Sequence, residues 1–487
     1  MDRRELLAAS LTWCALRRAT AEEPTWCRHL PATVNDPAAL PMPEGRRASF
    51  GWQSVAIGEQ AIALTWPNLP ADAAVSRLRI AAALDERDVK RIEAVSLRDG
   101  APLGSIEVRF ASQFQPYELA VTRAQAADGI ALRLASGTPF RVFTAGETLP
   151  AELAVHLLVP GGAKPRGEFL RRLDSLACVQ QFGWMEGCVL DGLLDLSALP
   201  GLGQLKAAAQ RHLDLFVSGG KLTYDGPRCE LVRDRIYGIE GPLPLAALAK
   251  LDPKSPVLDL LPPFCAARRD ADGDVLDGRN ASSEGAYTVG YPLAVMARQR
   301  QDAAMATMAL DQLRARQARL MVDGTFYRTH NADGGRGDRH WARGMAWQLL
   351  GYARVLRELR GFVAEAELAP RIDEMRALAA LVRRLQRPDG LWAVFADEPA
   401  LTADTGGSAG IAAALAIGAG CGWLTTDDRA AAQRCHDALL THLTPDGFLA
   451  GVSQSNKGGG GLQRSDYRVI YQMGMGLLAQ LMAALAQ

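Results

Sequence analysis

Between about Phe50 and Val159 apolar and polar positions alternate. Ile62, Leu64 and Trp66 share one side of a run, Ile106, Val108 and Phe110 do so around Glu107 and Arg109, and Ile130, Leu132 and Leu134 follow. A period of two marks a strand with one buried face. Turn residues such as Asp99-Gly100 and Ser136-Gly137-Thr138-Pro139 punctuate the runs, and short strands at that spacing predict an antiparallel β-sandwich. Trp52 and Trp66 read as core residues on these strands. The stretch Pro160-Gly161-Gly162-Ala163-Lys164-Pro165 reads as a linker.

Beyond the linker the period becomes helical. After Gly203, residues Leu205, Ala208, Ala209, His212 and Phe216 share one face, and similar runs cover 286–299, 302–320, 341–359, 368–385, 408–420, 429–443 and 467–485. An Asp-Gly turn recurs at 225–226, 277–278, 323–324, 389–390 and 446–447, and Phe326, Trp392 and Phe448 follow the later ones. The turns fall roughly 45–65 residues apart, about one helical hairpin each. Hairpins of this kind bury their faces only by stacking, and closing the stack gives a toroid; left open, it is a solenoid suited to protein binding. Few charge stripes and many glycine-rich loops favour closure. The expectation is a mainly α chain: an N-terminal extension (1–45), a β-sandwich (46–165) and an (α/α)6 barrel (166–487).

Charge then removes one class of partner. Lys plus Arg equal Asp plus Glu at 54 each, so no basic face is available to attract phosphate backbones, and nucleic acid is not an expected ligand. None of the eight cysteines forms a CxxC pair, and most sit beside apolar residues, as buried reduced thiols do. That favours the cytoplasm. Arg3-Arg4 before an apolar run to Leu16, with Ala19-Thr20-Ala21 beyond, resembles a twin-arginine export signal, although Arg17 and Arg18 interrupt it; the alternative is a short amphipathic helix. No segment reaches the ~18 apolar residues that a membrane span needs.

Polar and aromatic residues pile up in three loop-to-helix segments: Tyr237 to Pro242, Asp277 to Pro292, and Phe326 to His330 with the nearby His340 to Trp347. Cleaving a sugar bond needs a carboxylic acid and usually a second carboxylate. Glu240 and Glu284 each stand just before a helix, where a carboxylate is also favoured simply by the helix dipole. That position favours ionisation, so a general acid there needs an apolar wall, which Tyr287, Trp341 or Trp347 can supply. Arg343 between two tryptophans is either a planar fork for a sugar carboxylate or an arginine snorkelling over core aromatics. His330 is either a partner of sugar hydroxyls or a satisfied loop histidine.

The run Trp341-Ala342-Arg343-Gly344-Met345-Ala346-Trp347 resembles the WARGNGW segment of the unsaturated glucuronyl and rhamnogalacturonyl hydrolases, glycoside hydrolase families 88 and 105. Phe326 to His330, Ala286 to Ala294, Asp404 to Ala409 and Gly420 to Leu424 resemble further segments in the same order, so the resemblance covers the chain from Glu168 onward. It implies that Glu284 lies next to the place of the family's proton-donating aspartate and Glu240 near its second aspartate. It implies too that Arg343, Trp341, Trp347 and His330 match sugar-acid-binding positions. Both carboxylates are glutamates here, and Met345-Ala346 replaces Asn-Gly.

In the families named, the acid protonates the C4=C5 bond of an unsaturated uronate, water adds at C5 and the hemiketal collapses. A glutamate pair can equally cleave a saturated glucuronide directly, as β-glucuronidases on a similar barrel do. The expected activity is therefore an exo-acting hydrolase taking a terminal uronic acid, saturated or unsaturated, from an oligosaccharide. The alternatives are a polysaccharide lyase, with Tyr287 or His330 abstracting the C5 proton, and a non-catalytic carbohydrate-binding protein. No metal, organic cofactor or membrane partner is implied, and a homo-oligomer remains open.

Overall fold

A computed structural model describes residues 25–487; the twin-arginine-like segment and Cys14 lie outside the described residues. The N-terminal part is built from strands β1 (Arg28–Pro31), β2 (Thr33–Asn35), β3 (Gln53–Ile57), β4 (Ile62–Thr65), β5 (Arg77–Ala81), β6 (Val89–Ser96), β7 (Pro102–Arg109), β8 (Pro116–Ala120), β9 (Ile130–Ser136), β10 (Phe140–Ala145) and β11 (His156–Val159). They form antiparallel sheets of order β1-β11-β5-β8 and β2-β4-β9-β6-β7, with β3 and β10 paired separately. The alternating residues Ile62, Leu64, Ile106, Val108, Ile130 and Leu132 are all buried, as are Trp52 and Trp66. Strand pairing begins at Arg28, so residues 28–35, read from sequence as part of an extension, are sheet strands.

The helices are α1 (Arg123–Ala127), α2 (Pro165–Leu173), α3 (Trp184–Ser197), α4 (Gln204–Asp214), α5 (Pro244–Leu251), α6 (Leu261–Ala266), α7 (Glu284–Thr288), α8 (Gly290–Arg300), α9 (Ala303–Leu320), α10 (Ala342–Leu359), α11 (Glu365–Arg384), α12 (Thr405–Gly420), α13 (Thr426–Leu440), α14 (Gly459–Arg464) and α15 (Gln472–Ala486). Contacts run α3–α5–α8–α10–α12–α15 and back to α3, closing a ring of six inner helices, while α4, α9, α11 and α13 pack outside their preceding inner neighbours. Inner helices are buried around most of their girth: every residue of α12 from Thr405 to Gly418 is buried. Ring closure depends on small residues. A Cβ on Gly476 of α15 would come within 2.3 Å of the Cys188 carbonyl of α3, and one on Gly192 within 2.5 Å of the Gly476 carbonyl. Among the described residues no helix is long and apolar enough to cross a membrane.

The β region is knitted to the barrel by buried charge. Asp446, in a barrel loop, accepts from His29 Nε2 at 3.0 Å and Arg79 Nη2 at 3.1 Å. Arg79, and secondarily His29, hold its carboxyl well below the usual range despite burial. Gln472 Nε2 at the start of α15 donates to the Phe114 carbonyl at 2.8 Å, and Gln454 Nε2 donates to Gln115 Oε1 at 2.9 Å. These contacts press loops of the β region against the end of the ring where the inner helices begin.

Candidate active site

Six inner helices begin at one end of the ring, and their N-terminal loops carry the polar residues. Glu284 is the first residue of α7 and is buried. Arg328 Nε donates to its Oε1 at 2.8 Å, and Ser283 Oγ lies 3.5 Å from its Oε2. Burial alone would raise this carboxyl, but the Arg328 guanidinium outweighs it and holds Glu284 below the ordinary glutamate value. Arg328 also donates to Asp338 Oδ2 at 3.1 Å and lies over the Trp341 ring at 5.1 Å. With its oxygen turned inward, the Asn456 amide accepts from both terminal nitrogens of Arg328 at 2.8 and 2.9 Å.

Glu240 closes the Tyr237–Glu240 loop ahead of α5. Its side chain is exposed to solvent, yet partial desolvation by the surrounding protein is the largest influence on its carboxyl. Desolvation, and then repulsion from Glu284, push it up to about 7; Arg328 and Lys457 act the other way. Asp277, at the turn before α7, is exposed; its carboxyl is nevertheless raised, by partial desolvation from the surrounding protein first and Glu284 second. The two glutamates thus stand in different states near neutrality: Glu284 ionised against its arginine, Glu240 able to carry a proton.

The remaining residues nominated from sequence are placed variously. Trp341 is buried, with its Nε1 donating to Gln463 Oε1 at 3.2 Å and guanidinium groups of Arg328 and Arg343 at 5.1 and 5.3 Å from its ring. Arg343 is only 1% exposed, and its donors go inward: Nε to Asp404 at 3.3 Å, Nη2 to the Ser453 and Gln454 carbonyls at 2.6 and 3.1 Å. Trp347 is buried and meets the half-buried Trp184 edge-on, ring centres 5.4 Å apart. Tyr287 stacks behind Trp347, fully buried, with its hydroxyl donating to Asp191. That commitment leaves it no way to serve as a base at the cleft. His330 is half-buried at the end of the strand Thr325–His330, paired in register with Ala281 and Arg336.

Four residues here were not singled out for chemistry from sequence: Arg328, Asp277, Lys457 and Trp184. For Arg328 the signal was present, since it shares a strand face with His330 two positions on. Lys457 sits in a glycine-rich stretch with no periodicity to place it. Two cavities, of about 450 and 660 Å3, open among the outer helices, and none of the residues described above lines them.

The structure is thus a closed barrel of helical hairpins with unlike carboxyls at the head of its inner helices. Residues 293–485 match the model of Glycosyl Hydrolase Family 88. Solved structures share the fold: a possible family 105 member from Salmonella enterica serovar Paratyphi A (14% identity, TM-score 0.57, covering 66% of this chain and 92% of that one), a family 105 glycoside hydrolase from C. acetobutylicum (16%, 0.56, 65% and 99%) and a family 88 glycosyl hydrolase from Bacteroides vulgatus (16%, 0.52, 66% and 99%). No curated protein matches the chain in sequence. The C-terminal part of the barrel thus matches family 88, the fold is shared with family 88 and 105 structures, and the chain is a glycoside hydrolase.

Proposed function

We propose that this hydrolase removes a terminal uronic acid from an oligosaccharide, with Glu240 as proton donor and Glu284 as the carboxylate that orients water or attacks the sugar. The observation that supports the reading is the split between the two carboxyls: Glu240 pushed up to about 7, Glu284 held down by Arg328. Such a pair supplies an acid and a base at the same pH. On a saturated β-glucuronide, Glu240 gives its proton to the glycosidic oxygen as that bond to C1 breaks, and Glu284 assists attack at C1. On a 4,5-unsaturated uronide, the proton goes to C4, water adds at C5, and the resulting hemiketal opens. The resemblance placed Glu284 beside the donor position; the charge environment favours Glu240 in that role.

Trp184 and Trp341 offer indole walls beside the pair, with Trp347 behind Trp184. The N-terminal sheets, taken as a β-sandwich, form part of the cleft rim. A cytoplasmic location belongs to the same proposal, supported by cysteines that are all unpaired among the described residues. A paired assay on the purified protein tests the function. One arm follows loss of ultraviolet absorbance from unsaturated uronyl disaccharides, the other nitrophenol release from a saturated β-glucuronide. Activity in the first alone assigns the hydration route and in the second alone direct cleavage. Silence in both, with new double-bond absorbance from an intact polyuronide, would replace hydrolysis by a lyase reaction.

A further inference from the structure

One of the contacts between the β region and the cleft end of the ring carries a charge beside the site. Lys457 belongs to the barrel loop between the strand Val452–Ser453 and α14, next to the Asn456 that meets Arg328. Its ammonium does not point into the barrel for a partner. Nζ pairs with Asp85 Oδ2 and donates to Ser112 Oγ at 3.2 Å, both on loops of the β region. Ser112 Oγ in turn lies 2.8 Å from the hydroxyl of Tyr471, the residue that opens α15. The Asp85 side chain is 1% exposed and that of Lys457 15%, so the pair is sunk into the seam while the lysine retains an opening.

An ammonium has three donors and two are spent on the β region. The charges around this seam are few. Arg87 Nε lies 2.8 Å from Asp85 Oδ1, Arg46 donates to the Asp85 carbonyl, and the Asp85 amide donates to Cys229 Sγ at 3.1 Å. Glu240 is faced by Glu284 and Asp277 as anions and by Arg328 and Lys457 as cations. Arg328 is committed to Glu284 and Asp338, so Lys457 is the cation near Glu240 whose charge is set from outside the barrel.

We propose that Lys457 is a positioning residue of the catalytic site, and that the β region governs the charge it presents to Glu240 through Asp85 and Ser112. This rests on the reading of Glu240 as proton donor. Asp85 offsets part of the charge that Lys457 presents to the cleft, and is itself shared with Arg87. Removing one member unmasks the other. Asp85→Asn leaves a bare cation, which stabilises ionised Glu240. Lys457→Met removes a cation and leaves Asp85 to Arg87 and Arg46, which favours the protonated form of Glu240. The two substitutions therefore push Glu240 in opposite directions, by about half a pH unit each for a single charge screened by solvent. A role confined to bracing the seam would lower stability in both and leave titration alone.

The test has a readout independent of catalysis. Full-length protein labelled with carbon-13 at glutamate carboxyls is titrated by NMR, with the Glu240 resonance identified by its loss in Glu240→Gln. The same variants are assayed for activity against pH on whichever uronide the wild type cleaves. The expected result is a titration midpoint that moves down in Asp85→Asn and up in Lys457→Met, with the alkaline limb of activity moving likewise. Ser112→Ala, a milder change, keeps the pair and moves neither limb by more than about 0.2 unit. Midpoints that stay put, or shift the same way, in folded variants would overturn the proposal. Midpoints that move as expected while no uronide is cleaved would leave the Lys457 assignment standing and remove the proposed function.

Discussion

Replacing Arg328 by methionine isolates the interaction on which the charge split depends. The guanidinium meets Glu284 at 2.8 Å, where that side chain is 8% exposed, and Asp338 at 3.1 Å, where exposure is 36%. Losing a half-exposed pair such as the second costs at most about 1 kcal/mol. Stranding a buried carboxylate costs about 3–5 kcal/mol, unless it escapes by taking a proton. That escape makes the penalty depend on pH. In the wild type the Glu284 carboxyl lies below 4.5, so its contribution to stability is present above the unfolded value and is lost as pH falls through the folded one. Without Arg328, burial dominates and the carboxyl rises above 4.5. The variant then binds a proton more tightly folded than unfolded, and loses stability as pH climbs, at about 1.4 kcal/mol per pH unit until the new value is passed.

Denaturant unfolding at pH 5 and pH 8 checks this. The gap between wild type and Arg328→Met should be small at pH 5 and about 2–4 kcal/mol larger at pH 8. Activity should lose its acid side, because Glu284 no longer ionises early enough to act as base. Arg328→Lys should recover part of the stability at pH 8, keeping the charge but not the fork. An equal gap at both values, with an unmoved acid limb, would refute the account of Glu284.

Glu240→Gln should lower kcat by about 10²–10⁴-fold, while raising the unfolding midpoint at pH 8 relative to wild type and leaving it unchanged at pH 4. The sign follows from a carboxyl raised to about 7, whose stabilising contribution is complete below 4.5 and lost as pH rises through 7; a uniform effect across pH in thermal melts would contradict it. Tyr287→Phe strips Asp191 of a donor and should cost about 1–3 kcal/mol in unfolding free energy with little change in kcat; a collapse of kcat without loss of stability would return Tyr287 to the chemistry. Arg343→Lys should lower the urea midpoint through the loss of contacts to Asp404, Ser453 and Gln454, by about 2–4 kcal/mol, and a change confined to KM would show its guanidinium reaching substrate instead.

Much of the fold was legible because the barrel's outer face is wet. Helices with a polar side, such as α9 and α11, announce themselves by period, and the predicted 302–320 matches Ala303–Leu320 with Asp302 as its cap. The first inner helix, α3, escaped notice; it is buried on nearly every side, and the turn at Gly183 that opens it is not one of the recurring Asp-Gly turns. The same physics limited the site. Glu240 and Glu284 were readable as carboxylates ahead of helices, and the structure brings them within electrostatic reach of each other. Local pattern could not show that Arg343 would be consumed by Asp404 and Ser453, 61 and 110 residues away, nor that Lys457 would be held by Asp85 from a region 372 residues earlier. Those partners are fixed by closure of the ring and docking of the sheets, which no local window contains.

That closure has a consequence during synthesis. Helices α3 and α15 meet backbone to backbone through Gly192 and Gly476, so the first stave of the ring waits for the last. Until residues 472–486 have left the ribosome, α3 and α12 each hold an apolar flank with nothing to cover it. At the slow pace of translation that exposure lasts many seconds, ample time for a sticky, half-closed barrel to meet another. The β region, made first and folding locally, can shield the rim of the ring but not that open seam. The yield of active protein in cells should therefore turn on how quickly the final helix is delivered, and on the chaperones that hold the gap until it arrives.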